Sequence, residues 1–184
     1  MNWNFTVGHF NVRLPVSDQD GEALFALLSE QRRVDHIPRL AMTVSAQALD
    51  ELRRMAMRFE TREAAFWLVE GAYDQQLVAR IGIQKINWLQ RGTQVQWEIV
   101  DTLDDDSLAL IVAAVCDFCF DQLGLYRLEM RLRVGSDAQE ARLQRLGFHY
   151  EGFLPAHVEY NDEAMDLALY SFLASDRLEP AQSN

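Results

Sequence analysis

Alternating apolar and polar side chains predict seven β-strands along this chain. The clearest case is YRLEMRLRV at residues 126–134, where Leu128, Met130 and Leu132 alternate with charged neighbours. This two-residue period places the apolar side chains on one face of a strand. The same kind of pattern predicts strands at residues 9–16, 65–71, 76–88, 93–100, 148–154 and 163–173.

Apolar residues at helical spacing predict four helices between these strands. We expect them at residues 17 to about 31, 45–61, 106–123 and 136–146. Ser17 with Asp20, and Ser136 with Gln139, match the capping-box pattern at the starts of two of them. The helix at 106–123 is apolar nearly all round, so we expect it to be buried.

The order of these elements is β-α-α-β-β-β-α-β-α-β-β. Residues 93–134 form a strand–helix–strand crossover, which favours one parallel strand pair. The remaining connections favour antiparallel pairing. The fold class predicted is therefore α+β, a single domain over residues 1–175 with a mixed, mostly antiparallel seven-stranded sheet flanked by helices. We expect residues 176–184 to form a flexible tail.

Composition and charge restrict the class of protein. A hydrophobic fraction of 49% over 184 residues is enough for one substantial core. No apolar run reaches the roughly 18 residues of a membrane span, and the first ten residues lack a signal-peptide pattern, so we expect a cytoplasmic protein. The net charge of −11 disfavours nucleic acid and anionic membranes as partners. It suits a cationic partner, although solubility alone explains it equally well.

The cysteine and histidine spacings indicate no metal site. Cys116 and Cys119 lie inside the apolar helix, and there is no second Cys pair to complete a zinc set. We therefore predict two core cysteines. Trp67, Trp88 and Trp97 are expected in the core or in a homodimer contact.

Several short tags in the second half of the chain carry a family signal. They are LGLYR at 123–127, LGF at 146–148, EG at 151–152, Asp166 ahead of Tyr170-Ser171, and Ile81-Gly82 in the predicted third strand. Their order and spacing resemble GNAT N-acetyltransferases, especially the RimJ/RimL-like branch of ribosomal-protein alanine acetyltransferases. The element order is similar to that family from about residue 9 to residue 173.

The resemblance implies transfer of an acetyl group from acetyl-CoA to a primary amine, either a peptide N-terminus or a small amine. The cofactor would bind where the strands at 93–100 and 126–134 splay apart. Backbone groups there and in the following loop would hold the pantetheine arm and the diphosphate. The residues at these positions are Ile99, Val100, Asp101, Asp104, Asp105, Asp106, Ser107 and, near the pantetheine, Ser136.

The diphosphate loop departs from the family pattern Q/R-x-x-G-x-G/A. There is no glycine from Thr93 through Leu123, and three consecutive aspartates, Asp104 to Asp106, stand in the loop. Asp is favoured at helix starts, so capping alone explains these residues. The loop leaves two alternatives to an ordinary acetyltransferase. One is a GNAT-fold binding or regulatory protein that does not bind acetyl-CoA normally; the other is a fold-mate that uses a different acyl carrier.

Three side chains are candidates for proton transfer. The resemblance implies that Glu98 acts as general base, whereas an ion pair with an Arg of a neighbouring strand, such as Arg131, is the structural alternative. Tyr160 is a candidate donor to the leaving thiolate, and His157 could titrate near neutral pH. Packing of both side chains over the sheet end is the alternative for this pair.

Overall fold

The computed structural model describes residues 1–16, 19–160 and 162–177. The strands are β1 (Phe5–Val7), β2 (Phe10–Arg13), β3 (Ala64–Gly71), β4 (Leu77–Asn87), β5 (Gly92–Ile99), β6 (Arg127–Arg133), β7 (His149–Tyr160) and β8 (Glu163–Leu173). The helices are α1 (Gly21–Leu28), α2 (Gln31–Val34), α3 (Ala46–Glu60), α4 (Asp105–Asp117) and α5 (Asp137–Arg145).

All eight strands of the described residues join one sheet in the order β1-β2-β3-β4-β5-β6-β8-β7. The pair β5–β6 is parallel and the other six pairs are antiparallel. The α+β class and the mixed sheet are confirmed. The count of seven strands is wrong, because β1 is only three residues long and shows too little alternation to be detected.

The helix starts differ from the capping predictions. Ser17 lies outside the described residues, and α1 begins at Gly21 with Asp20 at its N-cap. Ser136 is the N-cap of α5, but its side chain makes no capping hydrogen bond. Gln139 accepts from the Trp97 indole at 3.0 Å instead, so a tertiary contact has replaced the predicted local one. Most of the predicted tail, residues 178–184, also lies outside the described residues.

The sheet carries an apolar core on each face. One core joins α1 and α3 to β3, and the larger one joins α4 to β3, β4, β5 and β6 around the fully buried Trp67 and Trp97. Cys116 and Cys119 are buried and unpaired in the larger core, which confirms the prediction of core cysteines. Burial raises the pKa of Cys116 to about 12, so this thiol is inert. Every helix of the described ranges falls short of the length and apolarity that a membrane crossing needs.

A buried ion-pair network crosses the face that α3 covers. Arg80 of β4 donates to both carboxylate oxygens of Glu98 of β5, at 2.9 and 2.8 Å. A third guanidinium nitrogen of Arg80 donates to Glu51 of α3 at 2.6 Å. The side chains of Arg80 and Glu98 have no exposed surface, and that of Glu51 is 12% exposed. The network ties α3 to the centre of the sheet.

Glu51 makes the stability of the fold sensitive to acid. Burial alone would raise the pKa of Glu51, but Arg80, Arg39 and Arg54 together lower it to about 2. A carboxyl whose pKa is depressed on folding stabilises the fold above its unfolded pKa, near 4.5, and loses that contribution as pH falls towards 2. We expect the wild type to lose about 1–3 kcal/mol more unfolding free energy than Glu51→Gln between pH 6 and pH 3. Urea unfolding at the two pH values measures this, with the exposed Asp50→Asn as control. Equal losses in wild type and Glu51→Gln would contradict it.

Candidate functional site

The two parallel strands separate partway along their length. Hydrogen bonding between β5 and β6 joins Gly92, Thr93 and Gln94 to residues 127–129 and stops there. Beyond Gln94, β5 remains paired with β4 as far as Ile99. The gap that the resemblance implied between these strands is therefore present, and its walls are the facing backbone edges of β5 and β6.

His36 joins the two edges of this gap. Its Nε2 lies 2.7 Å from the carbonyl oxygen of Trp97 on β5, and its own carbonyl accepts from the Arg133 amide on β6 at 2.9 Å. Since a carbonyl can only accept, the proton is on Nε2. Burial lowers the pKa of His36, against the raising effects of the Glu98 charge and the Trp97 carbonyl, so the neutral ring is favoured.

The segment around His36, residues 35–39, is called the gap segment below. Tyr160 at the end of β7 donates its phenol to the Arg39 carbonyl at 2.9 Å. At the other end, Arg32 and Arg33 of α2 both contact Asp101 at 2.9 Å. The gap segment is thus fastened to β7 through Arg39, and the helix α2 that precedes it is fastened to Asp101, just after β5.

Two cavities adjoin the gap segment. The Ser136 cavity, about 460 Å³, is lined by His36, Arg133, Ser136 and Gln139 among others. The Arg131 cavity, about 250 Å³, is lined by residues 37–39 together with Gln96, Arg131 and His157, among others. The gap segment therefore contributes to the walls of both.

The predicted backbone contacts of β5 divide into two groups. Val100 donates its amide to Val78 of β4 at 2.9 Å and so faces away from the gap. Backbone groups alternate in direction along a strand, so those of Trp97 and Ile99 face the gap. The Trp97 carbonyl is already bonded to His36. Among the predicted cofactor contacts on β5, Ile99 is therefore the residue whose backbone groups face the opening.

The aspartates at the start of α4 are not a row of unpaired charges. Asp104 is the N-cap and accepts from the Ser107 amide and hydroxyl, both at 2.8 Å, which lowers its pKa. Asp105 accepts from Arg142 of α5 at 2.7 Å, and Asp106 accepts from Arg145 at 2.8 Å. Two arginines of α5 therefore offset part of the negative charge at the start of α4.

Glu98 is placed in the buried network rather than at the open edge of the gap. Both of its oxygens are bonded to Arg80, which lies directly opposite it in the β4–β5 register. The structural alternative, an ion pair with an arginine of a neighbouring strand, is confirmed, but the partner is Arg80 and not Arg131, because β6 has already parted from β5 at this level. The assignment of Glu98 as general base stays a prediction. In that role, one of its carboxylate oxygens must first lose its hydrogen bond to Arg80.

Tyr160 and His157 lie on β7, which extends six residues beyond its predicted end. His157 Nε2 is 3.0 Å from Nη1 of Arg131, and the guanidinium can only donate, so Nε2 accepts. The structure thus brings Tyr160 to the gap segment and His157 to the Arg131 cavity. It does not bring either side chain to Glu98.

Four important residues were missed from the sequence: His36, Arg39, Arg142 and Arg145. The spacing of Arg142 and Arg145 on α5 is a visible signal, because residues three apart share a helix face. Nothing in the local sequence pattern around His36 indicates that this irregular segment bridges the edges of β5 and β6.

Comparison with known proteins gives the family. The profile described as "Acetyltransferase (GNAT) domain" matches residues 11–149. The chain is 24% identical over 159 residues to "Uncharacterized N-acetyltransferase YoaA" of Bacillus subtilis (strain 168), covering 86% of this chain and 90% of that protein.

Solved structures share the fold at low identity. The ribosomal-protein-S5-alanine acetyltransferase from Vibrio fischeri superposes with a TM-score of 0.80 at 16% identity, covering 95% of this chain and 98% of that one. The spermidine N-acetyltransferase from Vibrio cholerae, in complex with CoA and spermine, superposes with a TM-score of 0.77 at 18% identity, covering 91% and 97%. Because the domain profile spans three quarters of its length and the sheet carries the expected gap, this chain belongs to the GNAT acetyltransferase family.

Proposed function

We propose that this protein is an N-acetyltransferase that transfers an acetyl group from acetyl-CoA to a primary amine, either a peptide N-terminus or a small amine. The observation that carries the proposal is the parallel pair β5–β6, which parts after three residue pairs. The opening leaves backbone edges with cavities beside them. Strand edges of this kind bind extended groups through amide hydrogen bonds.

The fit to acetyl-CoA differs between the two halves of the site. Trp97, Ile99 and Arg133 present backbone groups suited to an amide-containing arm, provided that His36 withdraws from both Trp97 and Arg133. The start of α4 fits a diphosphate poorly, because the Ser107 amide is already bonded to Asp104 and no glycine lets the loop close around phosphates. When bound, acetyl-CoA supplies the acetyl thioester.

The chain's own proton carriers are held near the gap segment. Tyr160 is a candidate donor, and its phenol proton is engaged by the Arg39 carbonyl at rest. His157 holds an unprotonated Nε2 against Arg131 and is a candidate acceptor for the proton of an incoming ammonium. Both become available only when the gap segment or Arg131 shifts, so we expect movement of residues 35–39 to precede reaction.

A second candidate function is a GNAT-fold binding or regulatory protein that does not bind acetyl-CoA normally. Two observations favour it: His36 bridges the gap, and Asp105 and Asp106 are paired across to α5. Both the His36 bridge and the pairs of Asp105 and Asp106 with α5 must be broken before the cofactor binds in the family manner. Pantetheine binding and amine-dependent thiol release separate the two functions.

The test is calorimetric titration of the full chain with acetyl-CoA, CoA and pantetheine, combined with thiol release in the presence of amines. If the protein is an acetyltransferase, we expect it to bind pantetheine. We also expect amines to accelerate thiol release beyond the rate at which acetyl-CoA is hydrolysed. Absence of both, with a chain folded by circular dichroism, supports the second candidate. Glu98→Gln serves as the control for the base: an unchanged rate across pH removes Glu98 from that role.

A further inference from the structure

The Arg131 cavity is cationic, in contrast to the chain as a whole. Its lining includes Arg39, Arg131 and Lys85, the last being the only lysine of the sequence. His157 also lines it, and the described lining residues include no carboxylate. A protein of net charge −11 has thus gathered three permanent positive charges around one small cavity. Such a concentration indicates an anionic ligand group.

The two arginines have hydrogen-bonding capacity that the fold does not use. The Nε–H groups of Arg39 and Arg131 are buried, and neither finds an acceptor within residues 1–16, 19–160 and 162–177. Buried donors without acceptors are rare, because leaving one unbonded is costly. Both arginines line the same cavity, so these donors lie beside it, and a ligand acceptor reaches them when the side chains shift.

The carboxylates behind the cavity offset only part of this positive charge. Glu51 contacts Arg39 at 3.3 Å but lies closer to Arg80, at 2.6 Å, and to Arg54, at 2.9 Å. Three guanidinium groups therefore share Glu51, and of these Arg80 also pairs with Glu98.

On the other wall of the cavity, Glu129 contacts Arg127 and Arg131 at 2.9 and 3.1 Å, and Arg127 also pairs with Glu151. The charge of Arg131 is therefore largely offset. Lys85 is exposed and has no ion-pair partner in the part of the chain that the structure describes. Positive charge remains in excess around the cavity.

We propose that the Arg131 cavity binds a carboxylate of the acceptor, so that the acceptor carries both an amine and a carboxylate. This rests on the proposed acetyltransferase function and specifies its substrate class. A guanidinium edge with free N–H groups pairs with a planar carboxylate through charge-assisted hydrogen bonds. A simple polyamine, which the net charge alone would suggest, meets repulsion here.

The test is direct binding to the full chain by calorimetry at about 0.15 M ionic strength, with and without CoA. Two matched pairs of probes isolate the carboxylate: ornithine against putrescine, and the dipeptide amides Ala-Glu-NH2 against Ala-Gln-NH2. The first pair tests an amino acid as the source of the carboxylate, and the second tests an acidic peptide. We expect the acidic member of at least one pair to bind about tenfold or more tightly.

Single substitutions test whether the preference for acidic probes arises at the Arg131 cavity. Lys85→Gln and Arg131→Gln are expected to reduce the acid-over-neutral ratio severalfold. Arg53→Gln removes the same charge from an exposed position on α3 and is expected to leave the ratio unchanged. Equal affinities within both pairs, preference for the neutral members, no binding of any probe, or an Arg53→Gln effect as large as that of Arg131→Gln would overturn the proposal.

Thiol release from acetyl-CoA separates this proposal from the proposed function. Carboxylate-selective binding without transfer to any amine means that the cavity is as proposed and the acetyltransferase function is wrong. Transfer at equal rates to acidic and neutral acceptors, with equal affinities, means that the enzyme is as proposed and the cavity does not select a carboxylate.

Discussion

Replacing Arg80 with Met is expected to lower the unfolding free energy by about 3–5 kcal/mol. Arg80 is fully buried and is bonded to both oxygens of Glu98, which is also fully buried. Met has a similar length but no charge, so it leaves the Glu98 carboxylate buried without a charged partner and removes the closest contact of Glu51. Urea unfolding followed by fluorescence measures the loss.

The control is Arg53→Met on the surface of α3, where the pair with Asp50 is exposed and contributes little. The double variant Arg80→Met with Glu98→Met tests the cause, since removing both charges is expected to restore part of the loss. Should Arg80→Met fail to fold, Glu98→Gln gives a milder form of the same test. A loss below about 1 kcal/mol in Arg80→Met would show that the network does not carry the expected energy.

Local patterns were enough to predict most of the sheet. Strands such as β6 alternate strictly because one face packs on a core, and this period survives in the sequence. β7 was predicted to end at Leu154 but continues to Tyr160, because a bulge between Leu154 and Val158 interrupts the alternation. β1 was missed because it is only three residues long.

The site was less predictable because its decisive contacts join residues far apart in sequence. Arg80 and Glu98 are visible as polar positions on their strands, but their pairing depends on the β4–β5 register. His36 lies 61 residues from the Trp97 carbonyl that it contacts. Asp105 and Arg142 meet only because α4 and α5 pack side by side. Tertiary contacts of this kind leave no period in the chain.

Changing Asp105 and Asp106 to Asn is expected to raise the affinity for CoA by about tenfold, without changing the affinity for pantetheine. In our proposal the coenzyme diphosphate approaches α4 at these two acids, and each of them pairs with an arginine of α5. The variant removes two negative charges and frees Arg142 and Arg145 to pair with phosphate. Calorimetry with the two ligands measures the change, since pantetheine lacks the diphosphate.

Arg142→Gln with Arg145→Gln is the converse variant, and we expect it to weaken CoA binding relative to pantetheine. The gain in the Asn variant should shrink at high salt, because all four side chains are at least partly exposed and such charges are screened. Submicromolar binding of CoA to the unmodified chain would contradict the premise, since it would mean that the diphosphate already displaces these pairs. If the Asn variant binds CoA with unchanged affinity, Asp105 and Asp106 do not oppose the diphosphate. The aspartates at the start of α4 would then reflect helix capping alone.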